Sequence, residues 1–242
     1  AYVPGRRQRK GRDEFISRPR FLAISEFGPK ALVYHEGGRY RVYKVNLDFG
    51  SGDIEATHDL VTGRMKRCSE CGYGHLEQGT SFAEVCDRCG TTLEPPSQID
   101  NLVHLQNVSL RLAQRITCDE EERQRLGYKL VTSYRFPEIG GKLDRKDAEV
   151  YCGETLAMRL SYGDAADIYR INLGWASRSN AEPPGFNLDL ERGYWASRSP
   201  DDEDNDDPAA QGRIQRVVPY VKDTKNSLVM RLEPARPGPE MA

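Results

Sequence analysis

A mainly β chain with one or two short helices (α+β) and an inserted four-cysteine zinc ribbon is the fold the sequence predicts. Three observations carry it. Four of the six cysteines come as two C-x-x-C pairs. The apolar runs are short, alternate with polar residues and are separated by glycine-rich turns, which is a strand pattern. Only one stretch, starting at Thr117, carries a helix-start signal.

The cysteine pairs read Cys68-Ser69-Glu70-Cys71-Gly72 and Cys86-Asp87-Arg88-Cys89-Gly90. Two residues between cysteines let both sulfurs of a tight turn face one point. The glycine after each second cysteine lets backbone amides turn toward the sulfurs. Two such knuckles facing each other make a closed tetrahedral site of four thiolates, which suits Zn2+. The competing readings are two disulfides and a redox C-x-x-C. The first needs an oxidising compartment, to which nothing here points. The second normally occurs once, beside a βαβ pattern. Cys68, Cys71, Cys86 and Cys89 are thus the metal ligands expected, and the metal is structural, because four thiolates leave no position open. His75 is a spare fifth candidate.

The net charge of −2, from 35 basic and 37 acidic side chains, gives no global pull toward nucleic acid. Any such pull must be local. No apolar run reaches membrane-spanning length and no signal-peptide core is present. The cysteine usage fits a reducing, cytoplasmic location. Cys118 and Cys152 read as buried free thiols. The first residue is alanine, a hint of a fragment or a processed protein.

Residues 1–20 read as a basic arm or linker. Arg6, Arg7, Arg9, Lys10 and Arg12 form a run that can neutralise phosphates; a solvated linker is the equal alternative. Residues 21–136 read as a β-module with the ribbon at 60–95. In it, Phe21 to Ile24 is a short strand. Ala31–Glu36 and Arg39–Val45 are two more, joined at Gly37-Gly38, with Tyr40, Val42 and Lys44 on one face. His35 and His58 have no partner at metal-ligand spacing and read as ordinary residues. Lys66, Arg67 and Arg88 add positive charge beside the knuckles and, with the arm, are the nucleic-acid-binding candidates.

A mixed apolar run spans 102–112. The capping box Thr117-Cys118-Asp119-Glu120 starts a short helix that Gly127 ends, followed by a strand over 128–136. Residues 145–233 read as a mainly antiparallel β-module. Its strands cover 155–162, with Leu156, Met158, Leu160 and Tyr162 on one face, and 168–173. A hairpin turns at Arg192-Gly193, and strands at 214–221 and 228–232 are separated by a turn at 223–226. The acidic loop near 199–211 is expected to be disordered. Residues 234–242 read as a linker, with the chain continuing in a larger parent protein. Trp-Ala-Ser-Arg-Ser at 175–179 and 195–199 reads as two similar strand ends.

No catalytic residue is assigned. The chain has no Walker A, G-x-S-x-G or H-E-x-x-H motif, and no nucleophile beside a plausible base. Read from residues alone, this is a zinc-stabilised β-module with basic patches.

Four segments carry a resemblance. They are Arg18–Pro29 with Tyr34-His35-Glu36-Gly37; the Cys68–Cys89 ribbon; Arg115–Arg123 with Gly127-Tyr128; and Arg170–Gly174 with Gly185-Phe186. Together they resemble the region after the motor core of large bacterial superfamily 2 DEAD/DEAH-box DNA helicases with a C-terminal cysteine-containing domain. Mitomycin-repair-like and DISARM-like helicases are relatives. The resemblance implies a non-catalytic accessory segment that contacts DNA within an ATP-dependent helicase or translocase, in DNA repair or antiviral phage defence. ATP and Mg2+ would then belong to the parent's motor core, not to this chain. The alternative is a protein-interaction scaffold that docks a partner subunit. The resemblance further implies that an uncovered apolar layer around Val217 and Val229 makes the isolated chain prone to associate.

Overall fold

The computed structural model describes residues 1–4, 14–47, 60, 62–77, 81–104, 107–115, 127–179, 181–196 and 213–233. The basic run at 6–12, His58, the Thr117 capping box with Cys118, the acidic loop at 199–211 and the 234–242 linker lie outside them. The strands are β1 (Tyr2–Val3), β2 (Glu14–Phe15), β3 (Leu32–His35), β4 (Gly38–Asn46), β5 (Gly63–Arg67), β6 (Gly74–Leu76), β7 (Gln98–His104) and β8 (Asn107–Arg115). They continue with β9 (Tyr128–Arg135), β10 (Glu138–Ile139), β11 (Lys142–Leu143), β12 (Lys146–Cys152), β13 (Thr155–Trp175), β14 (Phe186–Asp189) and β15 (Ile214–Leu232). One α-helix, α1 (Arg20–Glu26), and a 3-10 turn at Pro95–Ser97 are the helical elements among the described residues. The fold is therefore mainly β, as expected. No helix among these residues is long and apolar enough to cross a membrane.

Two compact units divide the chain. The first holds Ala1–Ser133 and Tyr169–Lys222, the second Tyr134–Ile168 and Asp223–Ala242. The boundaries fall inside β9, β13 and β15, each of which supplies residues to both units.

In the first unit, a five-stranded sheet has the order β2-β1-β8-β4-β3. Its core side carries Val3, Val33, Tyr40, Val42, Val45, Val108 and Leu110, which cluster with Phe186, Leu188, Leu190, Trp195 and Val217. The β3–β4 hairpin turns at Glu36-Gly37, both at positive φ, one residue earlier than the Gly37-Gly38 turn expected. Burial alternates through Tyr40 and Val42 and then slips: Val45 is buried and Lys44 is not. A bulge explains the slip, because Val42 opposes Leu110 while Lys44 opposes Ser109, leaving Tyr43 as the extra residue. A second path runs β15-β7-β5-β6, with β14 on β15 and β9 on β13. Met65, Ile99, Leu102, Tyr169, Ile171 and Val218 form its core.

The Phe21–Ile24 run is helical, not a strand. A four-residue apolar run does not distinguish the two by periodicity. The flanks decide: the Pro19 carbonyl accepts from the amides of Leu22 and Ala23, both at 2.9 Å, and Gly28-Pro29 stops the helix. Gly28 then lies under Tyr128, whose hydroxyl donates to the Pro29 carbonyl at 2.7 Å. A Cβ on Gly28 would sit 2.9 Å from that ring. Gly28→Ala is expected to destabilise the fold by about 1–3 kcal/mol, read as a lower urea midpoint at unchanged m-value. An unchanged midpoint would contradict this packing.

In the second unit the neighbours run β12-β13-β15, beside the small hairpin β10–β11, which turns at Gly140-Gly141. Strand β13 is continuous where two strands were expected, and so is β15: residues 223–226 are extended, not a turn. Pairing overrides the local turn composition there. Thr224 Oγ1 donates to Asp167 Oδ1 at 2.7 Å, and the Glu233 amide donates to the Ala157 carbonyl at 3.0 Å. In β13, Leu156, Met158 and Leu160 are only half-buried; the buried residue is Ser161, its hydroxyl donating to Asp147 at 2.6 Å. Cys152, expected buried, is exposed at the β12–β13 turn. The uncovered apolar surface also differs from the expectation. Val217 is buried, whereas Leu228, Met230 and Leu232 are 55%, 63% and 74% exposed.

Candidate metal centre

The two knuckles are built alike. In the first, the Gly72 amide donates to the Cys68 carbonyl at 3.0 Å and the Cys68 amide to the Tyr73 carbonyl at 2.9 Å. In the second, the Gly90 amide donates to the Cys86 carbonyl at 2.9 Å and the Cys86 amide to the Thr91 carbonyl at 2.8 Å. Gly72 and Gly90 have φ of 74° and 75°, a region L-residues rarely enter, and this is why glycine follows each second cysteine. Strands β5 and β6 carry the first knuckle, and the antiparallel bridge Val85–Thr92 carries the second.

The sulfurs converge. Cys68 Sγ lies 3.6 Å from Cys89 Sγ, Cys71 Sγ lies 3.6 Å from Cys86 Sγ, and all four sulfurs lie within 4.8 Å of one another. A tetrahedron with metal–sulfur bonds of about 2.3 Å has edges of about 3.8 Å. The four cysteines therefore form a site that can hold a metal ion such as zinc.

The surroundings treat the four thiols unequally. Burial pushes Cys71 and Cys86 up. Burial also opposes ionisation of Cys89, but hydrogen bonds from the Thr91 hydroxyl and amide, with Cys71 and Cys68 alongside, bring it down to about 6. A divalent cation at the centre favours the thiolate at all four positions.

His75 stands outside the sulfur cluster. It is buried, its ring meets Tyr73 edge-on at 5.1 Å, and its Nδ1 lies 3.2 Å from Asp87 Oδ2, inside the second knuckle. It braces one knuckle against the other. Ser133 does the same from β9, its buried hydroxyl donating to the Gly72 carbonyl at 2.9 Å. Sequence reasoning missed Thr91, Ser133 and Asp87. Only Thr91, two residues after Cys89, had a local signal.

The cationic candidates near the knuckles are half-buried and engaged. Lys66 Nζ donates to the Leu93 carbonyl at 3.3 Å and lies 5.5 Å from the Phe82 ring centre. Arg67 Nε donates to the Thr132 carbonyl at 3.0 Å. Arg88 is half-buried between Asp87 and Cys89. His35 does gain a partner, but from far along the chain: its Nε2 lies 2.9 Å from Glu14 Oε2, joining the two edge strands β3 and β2. With Glu36 they make a small, solvent-facing acidic group.

Strand β9 links the segments singled out in the sequence. At one end Tyr128 covers Gly28 and Pro29, stacks on Trp175 at 5.2 Å and meets Phe186 at 5.9 Å. At the other end Thr132 and Ser133 hold Arg67 and Gly72. The Trp-Ala-Ser-Arg-Ser copies place Trp175 and Trp195 on either side of this cluster, 5.4 Å and 6.0 Å from the Phe186 ring.

Fold and site define a mainly β chain with a closed cluster of four cysteines that can hold a metal ion. Comparison with known families, curated proteins and solved structures gives no significant match.

Proposed function

We propose that this chain is a zinc-stabilised, non-catalytic segment of a bacterial ATP-dependent DNA helicase or translocase, in repair or phage defence, and that it contacts DNA. The observation that carries the reading is the convergence on β9. The Phe-Gly-Pro run, the first knuckle, Gly127-Tyr128 and Gly185-Phe186 are the stretches that resemble such helicases, and one strand joins them. The thiolate-only ligand set favours zinc, and a filled shell gives that zinc an architectural role.

The test is a pair of assays on the purified chain. Duplex and single-stranded DNA should bind without sequence preference and with steep salt dependence. ATP turnover should be absent with or without DNA, because the sequence lacks the P-loop and acidic motif that hold phosphates and magnesium. Salt-independent or undetectable DNA binding at low salt would overturn the first part; DNA-stimulated ATP turnover would overturn the second.

The exposed Leu228, Met230 and Leu232 stripe on β15 favours the second reading, a scaffold that docks a partner subunit. Under it, DNA binding is absent and substitution of those three residues by serine abolishes subunit capture.

A further inference from the structure

The β12-β13-β15 sheet of the second unit has two faces of opposite character. Arg159 pairs with Glu149 at 3.7 Å and with Glu233 at 3.2 Å, so these three residues share one face. Ser161 and Asp147 join them there through their hydrogen bond. Alternation puts the intervening residues on the other face. There Val150 opposes Met158, Ala148 opposes Leu160 and Lys146 opposes Tyr162. The contacts of Ala157 with Glu233 and of Asp167 with Thr224 make β15 antiparallel to β13. A hydrogen bond between Tyr162 and Asn226 sets Asn226 on the Tyr162 face. Leu228, Met230 and Leu232 follow it at every second position.

The polar face is the covered one. Phe136 packs on Gly163, on the side where Ser161 is buried. The apolar face is open: Leu228, Met230 and Leu232 are more than half exposed, Val150 is exposed, and Met158, Leu160 and Tyr162 are half-buried. A two-faced antiparallel sheet ordinarily does the reverse and turns its polar side to water. The unit holds little other apolar core. Among its described residues, Phe136 and Ala166 are the buried apolar side chains. A unit this small with so thin a core gains most from association.

The face itself selects what covers it. Its centre is uncharged, and the two charges on it, Lys146 and Asp164, have opposite sign and flank Tyr162 at one end. A second copy laid on it therefore buries no ionised group, which a partner with a charged surface would have to do. The relief is also self-complementary. The β15 side chains stand proud, and those of β13 beside them lie lower. A two-fold that exchanges the sides sets each ridge into the other copy's trough, as an isologous interface requires. The open apolar area is about 600 Å² per copy, so pairing removes about 1,200 Å² in all, the lower limit for a specific interface. Strand β12 ends the strand order, and its Lys146, Asp147 and Glu149 oppose edge-to-edge growth. Association through the face then closes at two copies.

We propose that the apolar face of the β12-β13-β15 sheet is a homodimer interface, covered by the same face of a second copy of this chain. The inference does not depend on DNA contact, and for the scaffold reading above it names the docked partner. The test is sedimentation velocity of the full, metal-loaded chain from about 1 to about 200 µM, a range that brackets the micromolar affinity of a small interface. Wild type is compared with Met230→Glu, Leu232→Glu and Arg231→Ser, with metal content and thermal melting checked for each.

The wild-type mass should rise with concentration from 27.4 kDa to twice that value and stop there. Either glutamate, repeated on both copies, puts a carboxylate into the apolar contact and should weaken pairing at least about a hundredfold. Arg231→Ser, on the opposite face of the same strand, should pair like wild type. A wild type that stays monomeric throughout overturns the proposal and leaves the β15 stripe to a different subunit, so the scaffold reading outlives it. Pairing that persists in both glutamate variants, or that Arg231→Ser weakens equally, places the contact elsewhere and overturns it as well. A mass that climbs beyond two copies overturns the closed two-fold. Met230 and Leu232 are exposed enough that neither substitution threatens the core, and each checks the other.

Discussion

Removing the metal is expected to unfold residues 60–95. The purified chain should carry one zinc per molecule, and a strong chelator should release it with loss of local structure. Structural zinc in thiolate sites contributes on the order of 10 kcal/mol, comparable to the whole stability of a domain. The reason lies in what replaces it. Without the cation, the four sulfurs are drawn together with no charge to hold them, and burial opposes ionisation of Cys71 and Cys86. The loss should spread beyond the knuckles. Met65, fully buried, lies three residues before Cys68 on β5, and β5 pairs with β7. Freed knuckles release β5 and open the Met65, Ile99 and Leu102 cluster. Cys68→Ser should give a metal-deficient protein cleaved early by protease between 60 and 95. Elemental analysis showing no metal, with all six thiols titratable in a folded chain, would sink the assignment.

The second large effect concerns the basic run. Neutralising Arg6, Arg7, Arg9, Lys10 and Arg12 together should flatten the slope of log K against log salt for duplex DNA by up to roughly 4.5 units, about 0.9 for each phosphate left unneutralised. The fold should survive, because the run contributes no apolar side chain to a core. Replacing the acids at 201–207 with serine should leave binding equal or slightly tighter, since like charge is removed from near the DNA. The measurement is a salt titration of both variants and the wild type. An unchanged slope in the arm variant would make the run a linker and leave the scaffold as the better account.

The metal site was legible in the sequence because its determinants are local. Spacing within each knuckle and a glycine after it dictate the turn, whatever the rest of the chain does. The Arg192-Gly193 turn was legible for the same reason. What the sequence hid depends on distant partners. The helix at Arg20–Glu26 was hidden because Phe21–Ile24 is too short to show a period. The bulge at Tyr43 exists only relative to β8. The 223–226 stretch has turn composition but is drawn out by β13. Asp87 and Ser133 meet the first knuckle from outside it, and Glu14 reaches His35 from the other edge of the sheet; no spacing rule connects such pairs.

The parallel pairings carry a consequence for synthesis. Tyr2 of β1 lies opposite Ser109 of β8, and Leu102 of β7 opposite Val218 of β15, each more than a hundred residues away along the chain. Clamping the ribbon shortens the first of these loops by about a fifth, which by the logarithmic closure law lowers its cost by only about 0.2 kcal/mol. The metal therefore does little to speed that closure. On the ribosome, the five-stranded sheet can close soon after β8 emerges. Strand β7 must wait for β15, which at ordinary elongation rates takes about 6–20 s. Through that interval β7 is a bare edge bearing Leu102 and Val103, the kind of edge that pairs with any strand at hand. The nascent chain is thus most exposed to mispairing while residues 105–218 are leaving the tunnel.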